Sequence, residues 1–356
     1  MKLGIIGLPQ SGKTTVFNAL TRGNQPTAVS GGRFDVHQAI VDVPDERVDQ
    51  LVALFNPRKI TYAKVTYADI AGLSGSNEKS GFSGPLLNQL AQMDGLIHVV
   101  RGFENASAPH LLGSVDPGRD LDIVDADLLL NDLIVVERRL ERLEEEKRKG
   151  GGRDRAVIER ETVLFQRLQA ALSEEMPLRE MSFSDEELKA LSGFGFLTLK
   201  PMLVLLNSGE DEQPPALKPT GAHTAQAVLQ GKLEMELAQL APEEAELFMQ
   251  EYGIEELSLS KVIRLSFDLL ELLSFYTVGE DEVRAWTLPR GANALQAAAA
   301  IHSDLAKGFI RAEVIEAQTL LDLGGLAEAR QKGKLRLEGK DYLVHDGEIV
   351  HIRFNL

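Results

Sequence analysis

The stretch GLPQSGKT, Gly7 to Thr14, decides the fold. It fits the pattern G-x-x-x-x-G-K-[ST], in the context that pattern needs. Before it, KLGIIG is a short apolar run that reads as a strand. After it, TTVFNALTRG reads as an amphipathic helix ending at Gly23. The glycines let the backbone wrap close to phosphate, so that successive N–H groups face one anion. The start of the helix adds a favourable potential for negative charge. Gly7, Gln10, Ser11, Gly12, Lys13, Thr14 and Thr15 are therefore the candidate phosphate-binding residues. Lys13 would reach the β- and γ-phosphates, and the Thr14 hydroxyl would ligate Mg²⁺. The competing explanation is a chance glycine turn between a strand and a helix.

Outward from this loop, two further strand ends carry matching signals. Thr61 to Asp69, TYAKVTYAD, alternates as a strand should, and D-x-x-G follows from Asp69 to Gly72. Asp69 would hold Mg²⁺ through water, and the Gly72 N–H would face the γ-phosphate. Met202 to Leu206 is a run of apolar residues after a proline and reads as a buried parallel strand. It runs into Asn207-Ser208-Gly209-Glu210. In P-loop GTPases the corresponding element is N-K-x-D, whose Asp takes two hydrogen bonds from guanine. Glu210 is one methylene longer, which places its carboxylate roughly 1.5 Å further out. A buried bidentate contact does not tolerate that offset. Asn207 and Glu210 thus point to ATP over GTP, with simple capping of the next element as the alternative.

Composition limits the remaining possibilities. The 356 residues suffice for two or three domains, and 44% hydrophobic with 26% charged residues is ordinary for a globular chain. There are no cysteines, so disulfides and thiolate metal sites are excluded, as a reducing, cytoplasmic setting would have it. The N-terminal apolar run is too short for a signal peptide, and no membrane-length stretch exists. The expectation is a monomer without membrane contact. A net charge of −16 argues against whole-surface binding to nucleic acid, so any RNA contact needs a local basic patch.

One such patch exists. Leu129, Leu133, Val136, Leu140 and Leu143 repeat with coiled-coil spacing, and Ile158, Phe165, Leu168 and Leu172 answer them on a return arm. Between the arms lies KRKGGGRDR, residues 147–155, with Lys147, Arg148, Lys149, Arg153 and Arg155. Two antiparallel helices with a basic tip are expected, and the tip is either an RNA contact or a solvated charge run. Ser258 to Phe275 carries helix signals. Beyond it, VRAWTL and RAEVIEA read as strands, and NALQAAAAIHSDLAKGF reads as a helix terminated by Gly308. Asp346-Gly347 reads as a hairpin turn between alternating strands. This is a small α+β pattern with no catalytic cluster of its own.

These motifs together resemble the YchF-type, Obg-like ATPases of the TRAFAC P-loop class. GLPQSGKTTVFNAL, VDVPDERVDQL (Val41–Leu51), ADIAGL, HVVRGFEN (His98–Asn105), Val115–Leu133, NSGE, Thr277–Ile315 and Gly333–Asn355 carry the resemblance over nearly the whole chain. It implies an α/β P-loop NTPase domain with a mostly parallel sheet, an inserted helical hairpin, and a C-terminal ubiquitin-like TGS domain. On that basis the nucleotide domain spans 1–120 and 198–275, the hairpin 121–197, and the TGS-like domain 276–356. The resemblance also implies ATP (or GTP) with Mg²⁺, and the ribosome, its large subunit or the intact particle, as partner.

The sequence departs from the family in places. The family's first-switch threonine stretch is replaced by SGGRFD, Ser30–Asp35, where Thr27 or Ser30 could serve only by rearrangement. KSGFSGPLL keeps Gly81 and Gly84 but has Pro85 where an asparagine is usual. The small S-A-K element near the base corresponds to Gln230-Gly231-Lys232. Leu73 follows D-x-x-G and cannot orient water. The loop after GLIHVV offers Glu104, Asn105 and His110, and His110 matches a loop histidine proposed to serve family members. His98, within the strand, reads as structural. The expectation is a slow Mg²⁺-dependent nucleoside triphosphatase acting as a nucleotide-switched ribosome factor. The alternatives are a GTPase of the same fold and a nucleotide-binding interaction protein with negligible turnover.

Overall fold

The computed structural model describes residues 1–25, 35–71, 83–149, 152–209, 221, 223–251 and 257–355. In chain order the first elements are β1 (Lys2–Ile6), α1 (Lys13–Thr21), β2 (Asp35–Asp42), α2 (Glu46–Phe55), β3 (Lys59–Thr61), β4 (Lys64–Ala71), α3 (Gly84–Ala91) and β5 (Gly95–Gly102). There follow α4 (Pro117–Lys149), α5 (Arg155–Ser173), α6 (Asp185–Leu191), β6 (Met202–Ser208), β7 (Thr224–Leu229), α7 (Gly231–Gln239), α8 (Pro242–Glu251) and α9 (Ser258–Leu269). The last are β8 (Leu272–Thr277), β9 (Glu282–Pro289), α10 (Ala294–Ile301), α11 (Ser303–Lys307), β10 (Phe309–Glu316), α12 (Ala317–Leu323), α13 (Leu326–Gln331), β11 (Arg336–Glu338) and β12 (Glu348–Phe354). The chain forms two compact units, Met1–Ala39 with Thr66–Leu259 and Ile40–Val65 with Ser260–Leu356. Among the described residues no helix is long and apolar enough to cross a membrane.

The first unit is built on a sheet of order β2-β4-β1-β5-β6-β7. β1 pairs in parallel with β4 and β5, β5 with β6, and β6 with β7. β5 and β6 are buried at every position, which is what central strands covered on both faces require. On one face, Ile6, Ile70, Leu90, Val100, Leu121, Val124 and Leu206 share one apolar core. The parallel arrangement carries the C-terminal ends of β1, β4 and β6 to one edge, where ligand sites of such sheets lie. Gly7, Asp69 and Asn207 stand at or near those ends.

The hairpin belongs to this unit and follows its expected seam. Val136 and Leu143 of α4 and Ile158, Phe165, Leu168 and Leu172 of α5 are buried, with Leu129, Leu133 and Leu140 packed alongside. At its base the Asp132 carboxylate is fully buried. It accepts from the Leu197 N–H at 3.0 Å, the Thr198 N–H at 2.7 Å and the Thr198 hydroxyl at 2.7 Å. At the tip, Arg153 pairs with Glu146 and Glu161, Arg155 with Glu159, and Lys149 with Glu145. The basic charge read from the sequence is therefore largely answered within the hairpin, with Lys147 and Arg148 carrying the remainder. Gly150 and Gly151 lie outside the described residues.

The second unit has the sheet β11-β10-β12-β8-β9-β3. β8–β9, β10–β12 and β10–β11 are antiparallel, while β12–β8 and β3–β9 are parallel. Phe275, Leu288, Ala294, Ala297, Ala298, Val314 and Val350 make its core. The sequence places residues 40–65 with the nucleotide domain, yet in the structure they group with the C-terminal residues. β3 adds an edge strand beside β9, and Asp45, which caps α2, pairs with Arg47 in its first turn. The Tyr276 hydroxyl donates to Asp45 at 2.5 Å, and Arg47 pairs with Asp346 at 2.6 Å.

Several local expectations are corrected. The helix read through Phe275 stops at Leu269, where Glu271 turns left-handed (φ 51°), and β8 begins at Leu272. The helix read up to Gly308 is two helices, broken at His302, whose backbone is extended and whose ring accepts from the Asp304 N–H. Thr61 to Asp69 is likewise interrupted between β3 and β4. Asp346-Gly347 makes a turn without a two-strand hairpin. Asp346 accepts from the Ser274 N–H at 2.8 Å, and the Gly347 N–H donates to the Ser274 carbonyl at 2.8 Å, so β8 anchors the turn.

Candidate nucleotide site

The phosphate loop leaves β1 at Ile6 and enters α1 at Lys13. Three of its residues have positive φ: Gly7 (145°), Gln10 (63°) and Gly12 (92°). A Cβ on Gly7 would lie 2.2 Å from the Val99 carbonyl, and one on Gly12 would lie 2.2 Å from Asn207 Nδ2. Both glycines are thus demanded by conformation and by close approach. Gly12 caps α1 without a side-chain hydrogen bond, which leaves first-turn amides directed at the loop. Ser11 is buried within the loop, and Thr15 stands in the first turn of α1.

Lys13 folds over its own loop. Its ammonium donates to the Gly7 and Leu8 carbonyls, each at 2.9 Å. Burial lowers its pKa to about 8, against the opposing pull of the Asp69 charge. The Thr14 hydroxyl donates to Asp69 Oδ2 at 2.8 Å. Asp69 is 3% exposed, and its Oδ1 has no hydrogen-bond partner among the described residues. Burial raises the Asp69 pKa, while the Thr14 hydrogen bond, Lys13 and His37 act the other way. A hydroxyl and a carboxylate side by side, with one buried oxygen unspent, form a hard-oxygen pair of the kind that suits Mg²⁺.

Asn207 explains why a core strand ends in an amide. Its Nδ2 donates to the Ser11 carbonyl at 3.1 Å, and its Oδ1 accepts from the Gly231 N–H at 3.0 Å. It is a strut joining the phosphate loop to the turn that opens α7. That turn is Gln230-Gly231-Lys232, the element the sequence aligned with the base side. A Cβ on Gly231 would lie 2.7 Å from Asn207 Oδ1. Gly72 and Glu210 lie outside the described residues, as do Thr27, Ser30, Leu73 and Gly81.

His110 is not a solvated loop residue. It is 8% exposed, and its Nε2 meets Asp120 Oδ2 at 2.7 Å. The Leu112 N–H donates to Nδ1 at 3.1 Å, which assigns the proton to Nε2. Arg119 grips the other Asp120 oxygen at 3.0 and 2.8 Å. Neither ring nitrogen is turned outward in this arrangement. His98 is fully enclosed in β5, and burial drives its pKa down to about 3, so it stays neutral.

Two residues beside the loop escaped the sequence reading. Phe103 brings its ring to within 3.9 Å of where a Gly12 Cβ would sit. Arg101 is buried at 1% exposure and donates to the Gln10 carbonyl of the phosphate loop. The signal was an arginine inside the apolar run GLIHVVRGF, where a solvated charge has no place.

Comparisons with known proteins show what the whole chain is similar to. A family model described as 50S ribosome-binding GTPase matches residues 2–130. The YchF GTPase C-terminal model, described as a protein of unknown function (DUF933), matches residues 272–355. The chain is 38% identical over 365 residues to the ribosome-binding ATPase YchF of Bacillus subtilis, with 99% of each chain covered. It is 39% identical over 364 residues to the protein of that name from Haemophilus influenzae, covering 100% of this chain and 99% of the relative. Among solved structures, the Schizosaccharomyces pombe YchF GTPase superposes with a TM-score of 0.85 at 30% identity, covering 99% of this chain and 97% of that one.

Proposed function

The chain belongs to the YchF family of ribosome-binding ATPases, and from that premise we propose that it hydrolyses ATP at the loop 7–14 while bound to ribosomes in the cytoplasm. The observation that carries the reading is the Lys13–Thr14–Asp69 group, with the Thr14 hydroxyl 2.8 Å from a buried carboxylate at the mouth of a glycine-shaped loop. On nucleotide entry, Lys13 exchanges the Gly7 and Leu8 carbonyls for the β- and γ-phosphate oxygens. The N–H groups of residues 10–15 donate to the phosphates, and the Gly72 N–H to the γ-phosphate. Thr14 and Asp69 are the residues that would hold Mg²⁺. When bound, that ion neutralises charge shared by the β- and γ-phosphates.

Asn207 keeps the base side of the pocket tied to the phosphate loop, and Glu210 disfavours guanine for the reach argument given above. In the hydrolytic step, water oxygen forms a bond to the γ-phosphorus as the bond to the β–γ bridging oxygen breaks, the water's proton passes to an oxygen of the transferred phosphoryl group, and ADP leaves with the bridging oxygen. His110 would orient that water once the Leu112 N–H releases Nδ1, with Asp120 retaining the Nε2 proton and the ring's direction. What supports this role is the Asp120–His110 pairing, which fixes one tautomer. Competition of ATP and GTP against a fluorescent nucleotide analogue, followed by single-turnover hydrolysis with and without ribosomes, tests the proposal. Tighter ATP binding and ribosome-stimulated hydrolysis are expected. Equal or tighter GTP binding would return the chain to the GTPases, and binding without any turnover would make it a passive nucleotide-dependent partner.

A further inference from the structure

Arg101 has surroundings that a merely structural arginine does not need. It lies in β5 with its guanidinium enclosed and, among the described residues, donates only to main-chain carbonyls. These are Phe103 from Nε at 3.0 Å, Ala108 from Nη2 at 2.8 Å and Gln10 from Nη1 at 3.4 Å. Its guanidinium carbon stands 4.6 Å from the centre of the Phe103 ring. Among the described residues it has no bonded carboxylate, and Glu104 and Asp120 act on it only through space. A buried cation without a bonded anion is costly, and an apolar residue of similar volume would avoid that cost. What only a guanidinium does is span three carbonyls from one rigid plane. The three belong to two segments. Gln10 is the non-glycine residue of the phosphate loop with positive φ, and Phe103 and Ala108 bracket the loop that leads to His110.

We propose that Arg101 is a positioning residue, whose guanidinium locks the loop from Phe103 to His110 against the phosphate loop and sets the register in which that loop meets the γ-phosphate. Arg101 acts through the two loops and does not touch the nucleotide. The inference rests on the hydrolytic reading of the site. Arg101→Lys retains the charge but not the plane, so the three carbonyls lose their common donor.

The test measures ATP affinity and single-turnover hydrolysis for the unmodified protein, Arg101→Lys and Arg101→Met. The lysine variant should bind ATP within about threefold of the unmodified protein. Its hydrolysis should be slower by on the order of tenfold to a hundredfold, the scale that an ångström of misplacement produces. Equal turnover in a folded lysine variant overturns the inference. So does a parallel loss of affinity and rate, which would mean that Arg101 serves phosphate binding by its charge.

Because Arg101→Met leaves three carbonyls without a donor, hydrogen exchange on the unmodified chain provides a readout that no folding defect can obscure. Mg-ATP should slow exchange at residues 8–14 and also at residues 103–112. Protection confined to residues 8–14 overturns the coupling. An unmodified protein that neither binds nor hydrolyses ATP would instead overturn the functional reading itself.

Discussion

Lys13 and Gly12 show how much a single side chain decides. With its pKa lowered to about 8, the Lys13 ammonium is charged below that pH and loses its proton above it, whereas in the unfolded chain it holds the proton to about 10.5. The fold therefore opposes this charge below pH 8, and the opposition is relieved between pH 8 and 10.5. A triphosphate favours the charged amine. ATP binding above pH 8 should take up a proton, and affinity should fall by up to about tenfold per pH unit there. Calorimetry in buffers of different ionisation enthalpy reads the uptake directly, and Lys13→Met should abolish it. Gly12 combines a φ of 92° with a Cβ position 2.2 Å from Asn207 Nδ2. Gly12→Ala should cost about 1–3 kcal/mol of stability through strain alone. It should also weaken ATP binding more than tenfold, because the amides it aligns move together. An alanine variant with unaltered affinity would show that the loop tolerates displacement.

At the scale of elements, the hairpin is held by two different means. Its arms meet through an apolar seam whose spacing the sequence displays openly. Its base is held by Asp132, which, besides the neighbouring Asn131 amide, takes its donors from Leu197 and Thr198, far along the chain. No local pattern foretells that contact, since an aspartate in a helix ordinarily reads as solvated. Asp132→Ala should lower stability by about 2–4 kcal/mol, as buried N–H groups lose their acceptor. A urea titration monitored by helical circular dichroism checks this, and a shift of the midpoint too small to measure would mean that water replaces the carboxylate without penalty. The hairpin tip is a contrary case. The sequence shows a dense basic run, but Glu146, Glu161, Glu159 and Glu145 from the flanking helices neutralise much of it. Lys149–Glu145 and Arg155–Glu159 are i,i+4 pairs within one helix, but the pairs of Arg153 with Glu146 and Glu161 depend on how the two helices align, which charge counting along the chain does not report.

For the whole molecule, the strongest consequence comes from residues 40–65. They are continuous in sequence with the phosphate-binding elements, yet β3 completes the sheet of the C-terminal unit and Asp45 and Arg47 join Tyr276 and Asp346. A chain ending at residue 275 would deprive β3 of β9 and Arg47 of Asp346. In that shortened protein, residues 40–65 should be cleaved by added protease well before residues 95–102, which lie in the fully buried β5. In the full chain both segments should resist. Equal resistance in the two proteins would show that residues 40–65 hold their structure without the C-terminal strands.

The amino-acid sequence alone determined the phosphate loop, the order of strand and helix around it, the Asp69 and Asn207 strand ends, the hairpin seam and the α+β character of the C-terminal part. Each of these rests on neighbours close in the chain, through glycine conformation, apolar periodicity or helix capping. Tertiary structure alone decided the partners of Asp132, the enclosure of His110, the bridge made by Arg101 and the allegiance of residues 40–65. Those depend on groups brought together from distant positions, where burial changes what a charge or an amide must do, and no local pattern of residues encodes that meeting.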